Sequence, residues 1–173
     1  FELSLNRSQY INKKQKVNDQ LIADSGYGQG QILMNPVQLA SIYSSFINNG
    51  SIYRPHIVKK GEQMWIQRVF SDQTVKTIKE DLINVIADEN GTGHSIYHEN
   101  IQLAGKTGTA EIKQSQSDTT GSELGWFTVM TTDSKRPILM TTVVEDVKGR
   151  GGSGYVVEHT KTPLDSYFSK ANN

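Results

Sequence analysis

The sequence has no cysteine among its 173 residues, which excludes a disulfide framework, a thiolate nucleophile and a cysteine-based zinc site. Basic and acidic side chains balance at 18 each, so nothing indicates a nucleic-acid partner or a disordered acidic tail. No apolar run approaches the ~20 residues of a membrane span, and we recognise no signal peptide. Because the chain starts at Phe1 rather than methionine, we expect it to be a piece of a longer protein.

The order of apolar and turn-forming residues predicts an α+β fold, with antiparallel strands and flanking helices. Asn35 can cap a helix in which Pro36 takes the first position, and Ser71 can cap another. Residues 1–24 read as loop with short extended pieces, and SGYGQGQ (25–31) as a shaped glycine loop. The predicted elements are a helix over 35–50, a hairpin over 51–70 that turns near Lys60–Gly61, a helix over about 72–88, strands over 101–112, 124–131 and 137–145, and a helix over about 155–170.

Three short patterns suggest sites that the rest of the sequence does not support. AGKT (104–107) is similar to a phosphate-binding loop, but that motif needs a glycine at position 100, which is asparagine. GRGGSG (149–154) has dinucleotide-binding spacing, yet no second parallel strand follows, so we interpret it as a strand-to-helix loop. His94 and His98 have i, i+4 spacing, but NGTG before them argues against a helix and favours solvated loop histidines. No metal or cofactor is therefore expected.

The stretch AGKTGTAEI (104–112) is the strongest candidate site. A glycine inside a strand often marks where a ligand must come close, as Gly108 would. Lys106 offers a positive charge, Thr107 and Thr109 offer hydroxyl donors, and the Thr109 N–H could meet a developing oxyanion. Strand alternation puts Lys106 and Gly108 on one face and both threonines on the other, so the two sets share a cleft only at a sheet edge or in a twisted strand.

These residues form the K-T-G signature of penicillin-binding proteins and serine β-lactamases, and a longer block before them resembles the class B, monofunctional transpeptidases. GTG (91–93), AGKTGTAE (104–111) and GWF (125–127) follow in the order found in that family. The SGYGQG text looks closest to the low-affinity, methicillin-resistance type of Gram-positive bacteria. The positions of the earlier block that fit the family pattern are Gly28, Gln29, Gly30, Asn35, Pro36, Gln38, Leu39, Ala40, Tyr43, Asn49, Gly50, Pro55, His56 and Val58.

The resemblance implies peptidoglycan cross-linking by serine acyl transfer, without a cofactor. In the family a serine attacks the penultimate D-Ala carbonyl of a stem peptide, D-Ala leaves, and an amine of a second strand takes the acyl group; β-lactams acylate the same serine. Lys106, Thr107, Gly108 and Thr109 would bind substrate, and Lys106 and Thr109 would also serve catalysis. Trp126 and Phe127 are expected to pack the sheet rather than touch substrate.

Two motifs that complete this chemistry are missing. No serine has a lysine three residues on, and Ser4-Leu5-Asn6 matches S-x-N only as text. We therefore expect residues 1–173 to be the C-terminal part of a transpeptidase domain that is extracytoplasmic and membrane-anchored elsewhere. The isolated piece should lack transpeptidase activity and should self-associate through apolar faces left uncovered. A β-lactam sensor domain and a non-catalytic relic stay open as alternatives, and a β-lactamase fits less well.

Overall fold

The chain is described here by a computed structural model over residues 7–12, 16–58, 61, 63–112, 120–133 and 135–170. Several predicted features lie outside the described residues: the S-x-N text at Ser4–Asn6, any extended piece within residues 1–6, the turn residue Lys60, and residues 113–119 of the polar segment between the predicted strands 101–112 and 124–131. The helices are α1 (Asp19–Ser25), α2 (Pro36–Ser44), α3 (Asp72–Ala87) and α4 (Ser153–Lys170), with a 3₁₀ turn at His94–Ile96. The strands are β1 (Ile52–Tyr53), β2 (Met64–Ile66), β3 (Leu103–Ile112), β4 (Ser122–Thr131) and β5 (Leu139–Val144).

The predicted α+β class is confirmed. β3, β4 and β5 form an antiparallel sheet in that order, with Lys106 opposite Thr128 and Thr109 opposite Gly125. β1 and β2 form the predicted hairpin. Short connections between successive strands explain this topology, since parallel pairing would need a long crossover.

Helix starts follow the predicted caps. The Asn35 side chain accepts a hydrogen bond from the Val37 N–H, and the Ser71 hydroxyl accepts one from the Thr74 N–H. Each satisfies a backbone donor that has no partner inside the helix. The prediction of loop through residue 24 is wrong, because α1 occupies Asp19–Ser25 and is capped by Asn18.

The predicted end of the helix over 35–50 is also wrong. α2 stops at Ser44 rather than running to Gly50. The hydroxyls of Ser44 and Ser45 donate to carbonyl groups three residues back, at 2.7 and 2.6 Å, and such bonds compete with the helical ladder. Asn49 and Gly50 then turn the chain with φ of 50° and 76°.

Two apolar clusters cover the sheet unequally. One face, together with α3 and α4, is closed by a large core that includes Ile86, Phe127 and Val156. On the other face Ala104 and Met130 pack with Phe46 and Leu82 at one end only. α2 packs against β4 and β5 beside this cluster, and the part of the face that carries Lys106 and Gly108 borders a cavity. No helix among the described residues is both long and apolar enough to cross a membrane.

Candidate active site

The stretch from Lys106 to Thr109 lies on β3, which in the described part of the chain pairs only with β4. The Thr107 carbonyl accepts a hydrogen bond from Lys106 Nζ at 2.7 Å, and the Thr109 carbonyl accepts one from Gln29 Nε2 at 3.4 Å. In an antiparallel ladder the N–H and C=O of one residue point to the same side. The Thr109 N–H is therefore directed to this edge, away from β4.

A cavity of about 380 Å³ lies over the partly covered face of the sheet. All four predicted site residues border it, and Lys106 is the only charged side chain among the described residues that do so. An ammonium in otherwise uncharged, largely apolar surroundings favours an anionic ligand. The lining residues are Tyr27, Gly28, Gln29, Ile32, Leu33, Met34, Leu39, Tyr43, Lys106, Thr107, Gly108, Thr109, Ala110, Leu124, Trp126 and Thr128.

The edge position accounts for how alternating residues reach one cavity. Lys106 and Gly108 lie on the face of the sheet that carries Trp126 and Thr128, as the register requires. Thr107 and Thr109 reach the same space from the edge itself. The structure thus brings together the two sets that simple alternation would separate.

The two threonine hydroxyls have different surroundings. Thr107 is buried, and its Oγ1 lies 2.8 Å from the Thr92 hydroxyl. Thr109 is exposed, and its Oγ1 accepts a hydrogen bond from the Ser153 N–H at 3.2 Å. Thr107 is thereby fixed against the GTG turn, while Thr109 is held by the start of α4 and borders the cavity.

Neither the backbone conformation at position 108 nor the neighbouring atoms require a glycine there. It does not have a positive φ, and a Cβ there would meet only the Trp126 Cβ, at an ordinary 3.7 Å. The absent side chain instead leaves room over the strand on the cavity side. This agrees with the interpretation that a ligand approaches closely at this position.

The predicted glycine loop forms the facing wall. Gly28 and Gly30 have φ of 83° and 80°, a conformation that glycine adopts without penalty. The Tyr27 hydroxyl donates to Asp24 Oδ1 at 2.9 Å. This hydrogen bond, with slight burial and the negative charges of Asp24 and Glu111, raises the pKa of the Tyr27 phenol, so Tyr27 stays neutral at physiological pH.

Tyr43 and the two aromatic residues of β4, Trp126 and Phe127, differ in their burial and in what they contact. Burial raises the pKa of the Tyr43 phenol. Phe127 is completely buried in the core, as expected. Trp126 is half-buried and borders the cavity, so it is available to contact a ligand as well as to pack the sheet.

Sequence reasoning did not identify three residues that contact the predicted site: Thr92, Gln29 and Ser153. Thr92 belongs to the GTG text and Gln29 to the GQG text, so each lay within a recognised block without an assigned role. Ser153 lay within the GRGGSG pattern, which was interpreted only as a connecting loop, and its contact with Thr109 joins segments 44 residues apart.

His94 and His98 are not simply solvated loop residues, contrary to expectation. His94 Nδ1 lies 3.0 Å from the Ile86 carbonyl, and His98 Nε2 lies 3.1 Å from Asp165 Oδ1. His98 borders a separate cavity of about 500 Å³ between the 3₁₀ turn and α4. Its contacts tie these elements together, and no metal-binding group of three or more His, Asp or Glu occurs among the described residues.

The fold is that of a transpeptidase domain of the penicillin-binding type. The family profile described as penicillin binding protein transpeptidase domain matches residues 1–162. The chain belongs to this family.

Individual relatives agree with the family assignment. Penicillin-binding protein 3 of Bacillus subtilis is 38% identical over 169 residues, covering 96% of this chain and 25% of the relative. Peptidoglycan D,D-transpeptidase MrdA of Haemophilus influenzae is 25% identical, covering 84% of this chain and 25% of the relative. The solved transpeptidase domain of Burkholderia pseudomallei penicillin-binding protein 3 has the same fold, with a TM-score of 0.63 at 20% identity over 83% of this chain and 44% of that one. The chain thus spans about a quarter of the length of these curated relatives.

Proposed function

We propose that the chain is the C-terminal part of a class B peptidoglycan D,D-transpeptidase, anchored to the bacterial membrane with this part on its extracytoplasmic face. The observation that carries the proposal is the ammonium of Lys106, which among the described residues is the only charge bordering the cavity and lies on a strand that pairs only with β4. The family membership and the activity named for its relatives support it. The substrate is a stem peptide that ends in D-Ala-D-Ala, and β-lactams compete for the same cleft.

The four site residues of β3 have different roles in binding the substrate. Lys106 attracts the terminal carboxylate, and the hydroxyls of Thr107 and Thr109 donate to it. Gly108 lets the peptide lie against the strand. The Thr109 N–H, directed to the edge, supplies half of an oxyanion hole, where one donor is typically worth about 10²–10³ in rate.

The nucleophilic serine is contributed by another part of the gene product. The chain holds no S-x-x-K sequence, and it covers less than half of a solved transpeptidase domain. The apolar wall formed by residues such as Ile32, Met34 and Leu39 is suited to pack against that part. Removal of a nucleophile costs several orders of magnitude in rate, so residues 1–173 alone are inactive.

The test is the rate at which a fluorescent penicillin labels the complete gene product. Lys106→Ala should slow labelling by about 100-fold, since it removes a preorganised electrostatic group. Lys76→Ala, which removes an exposed lysine of α3 outside the cavity, is the matched control and should label normally. Unchanged labelling of Lys106→Ala would contradict the role given to this residue.

We also infer, from the SGYGQG and GKTGTAE text, that the protein is of the low-affinity, methicillin-resistance type. A protein of this type is acylated slowly by methicillin while it still cross-links stem peptides. The second-order acylation constant of the complete gene product measures this directly. Acylation by methicillin as fast as that of a susceptible class B relative would exclude the type while leaving the transpeptidase assignment intact.

A further inference from the structure

The loop between β5 and α4 is a tight, specified turn rather than a simple connection. Gly149, Gly151 and Gly152 have φ of 73°, 101° and 59°, conformations that strain other residues. The N–H groups of Arg150 and Gly152 donate to the Val147 carbonyl at 3.0 and 3.4 Å, and Val147 is completely buried. The turn is thus anchored to the core and delivers the first residue of α4 to a fixed place.

That place is the Thr109 hydroxyl. The Ser153 N–H donates to Thr109 Oγ1 at 3.2 Å. A backbone N–H can only donate, so the threonine oxygen must accept, and its own proton stays available for another acceptor. Among the described residues no acceptor for that proton is found, and Thr109 borders the cavity.

Gly152 makes this close approach possible. A Cβ at position 152 would lie 3.2 Å from Thr109 Oγ1 and 3.9 Å from its methyl carbon. A side chain would also be strained at the positive φ of this residue. Glycine therefore serves two purposes here, which are to turn the chain and to let it reach the strand.

We propose that the Gly152–Ser153 turn is a positioning element that presents Thr109 as a hydrogen-bond donor toward the cavity. The Ser153 N–H occupies one lone pair of the threonine oxygen and directs the hydroxyl proton to the ligand. A carboxylate accepts this hydrogen bond as a charged group, which makes the bond roughly twice as strong as one to the neutral oxygen of a carboxamide. This inference rests on the proposed function, since it concerns how the same site selects the carboxylate end of its substrate.

The perturbation must remove the Ser153 N–H and little else. Ser153→Pro does so, because proline is well tolerated at the first position of a helix, and Ser153 begins α4. The residue before a proline is restricted, so a second variant replaces Ser153 with the α-hydroxy acid of the same side chain, exchanging the amide for an ester. Ser153→Ala keeps the N–H and is the conservative comparison.

The readout is the ratio of acylation rates, in the complete gene product, for one peptide that ends in D-Ala-D-Ala carboxylate and the same peptide as its carboxamide. We expect the proline and ester variants to slow the carboxylate peptide about tenfold, equivalent to ~1.4 kcal/mol, with a smaller loss for the carboxamide, whose neutral oxygen accepts a weaker hydrogen bond. Ser153→Ala should retain the wild-type ratio. General damage to the fold would instead slow both peptides together.

The outcomes separate this inference from the proposed function. A wild-type ratio in the ester variant would overturn the positioning role of Ser153, and so would an equal loss for both peptides. If Ser153→Pro fails to fold, the ester variant decides. A wild-type protein with no preference for the carboxylate would overturn the carboxylate recognition assigned to the site, and the positioning inference with it.

Discussion

Replacing Gly125 with alanine should both destabilise the protein and withdraw α4 from the candidate site. Gly125 lies opposite Thr109 in the sheet, and a Cβ there would meet Val156 Cγ2 at 2.4 Å and Val147 Cγ1 at 2.9 Å. Both valines are completely buried, and their branched side chains have little rotamer freedom to move aside. The start of α4 must therefore retreat by about 1 Å to reach the 3.4 Å of ordinary contact.

The size of the effect follows from that displacement. Overpacking of this kind costs about 1–3 kcal/mol, which in a chain of this length lowers the melting temperature by roughly 2–12 °C. Retreat of α4 would also lengthen the 3.2 Å bond between Ser153 and Thr109 beyond hydrogen-bonding distance. Amide hydrogen exchange at Ser153 should accordingly become faster.

Urea denaturation of Gly125→Ala and of Gly154→Ala tests this packing, because the two variants should change the free energy of unfolding in opposite directions. A Cβ at Gly154 meets no atom within 4 Å and the residue is helical, so alanine there should raise the free energy of unfolding by about 0.5–1 kcal/mol. If Gly125→Ala were as stable as the unmodified protein, the packing of α4 on β4 described here would be wrong.

Three further predictions concern the cavity. Gly108→Ala should fold at least as stably as the unmodified protein, because only Trp126 is near and alanine loses less chain entropy than glycine. It should nevertheless slow penicillin labelling of the complete gene product, and equal labelling would remove the reason given for a glycine there. In a spectrophotometric titration the Tyr27 phenol should ionise above the ordinary value of about 10, and Asp24→Asn should bring its midpoint down. The raised pKa of Tyr27 stabilises the folded state at pH values below the ordinary pKa of the phenol, and this stabilisation is lost as the pH rises through the pKa in the folded state. A titration midpoint that Asp24→Asn leaves unchanged would refute the assigned cause. The isolated chain should associate through the exposed apolar wall, and Leu33→Glu, at a side chain that is 61% exposed, should favour the monomer; light scattering that finds the unmodified chain monomeric at high concentration would count against this.

Local signals predicted much of the fold. Asn35 and Ser71 fixed two helix starts through their side chains, and α3 spans nearly the predicted range, with Leu82 and Ile86 buried as its periodicity requires. The three long strands and their antiparallel order followed from short connections. These features depend on residues close together in sequence, which is why sequence alone indicates them.

What the sequence did not reveal depends on distant contacts. α1 has one buried residue, Leu21, too few to give a periodic pattern. The glycine loop before α4 reads as a generic connection until Val147 and Thr109 are seen to hold it. Likewise the role of Lys106 as the only charge bordering the cavity, within the described residues, depends on which segment faces it.

The most direct test of the proposed division of labour is the intact mass of the 173-residue polypeptide after incubation with benzylpenicillin. Since the attacking serine is assigned to another region of the gene product, the mass should stay that of the unmodified chain. A stoichiometric penicilloyl addition would contradict this assignment and place the nucleophile within these residues.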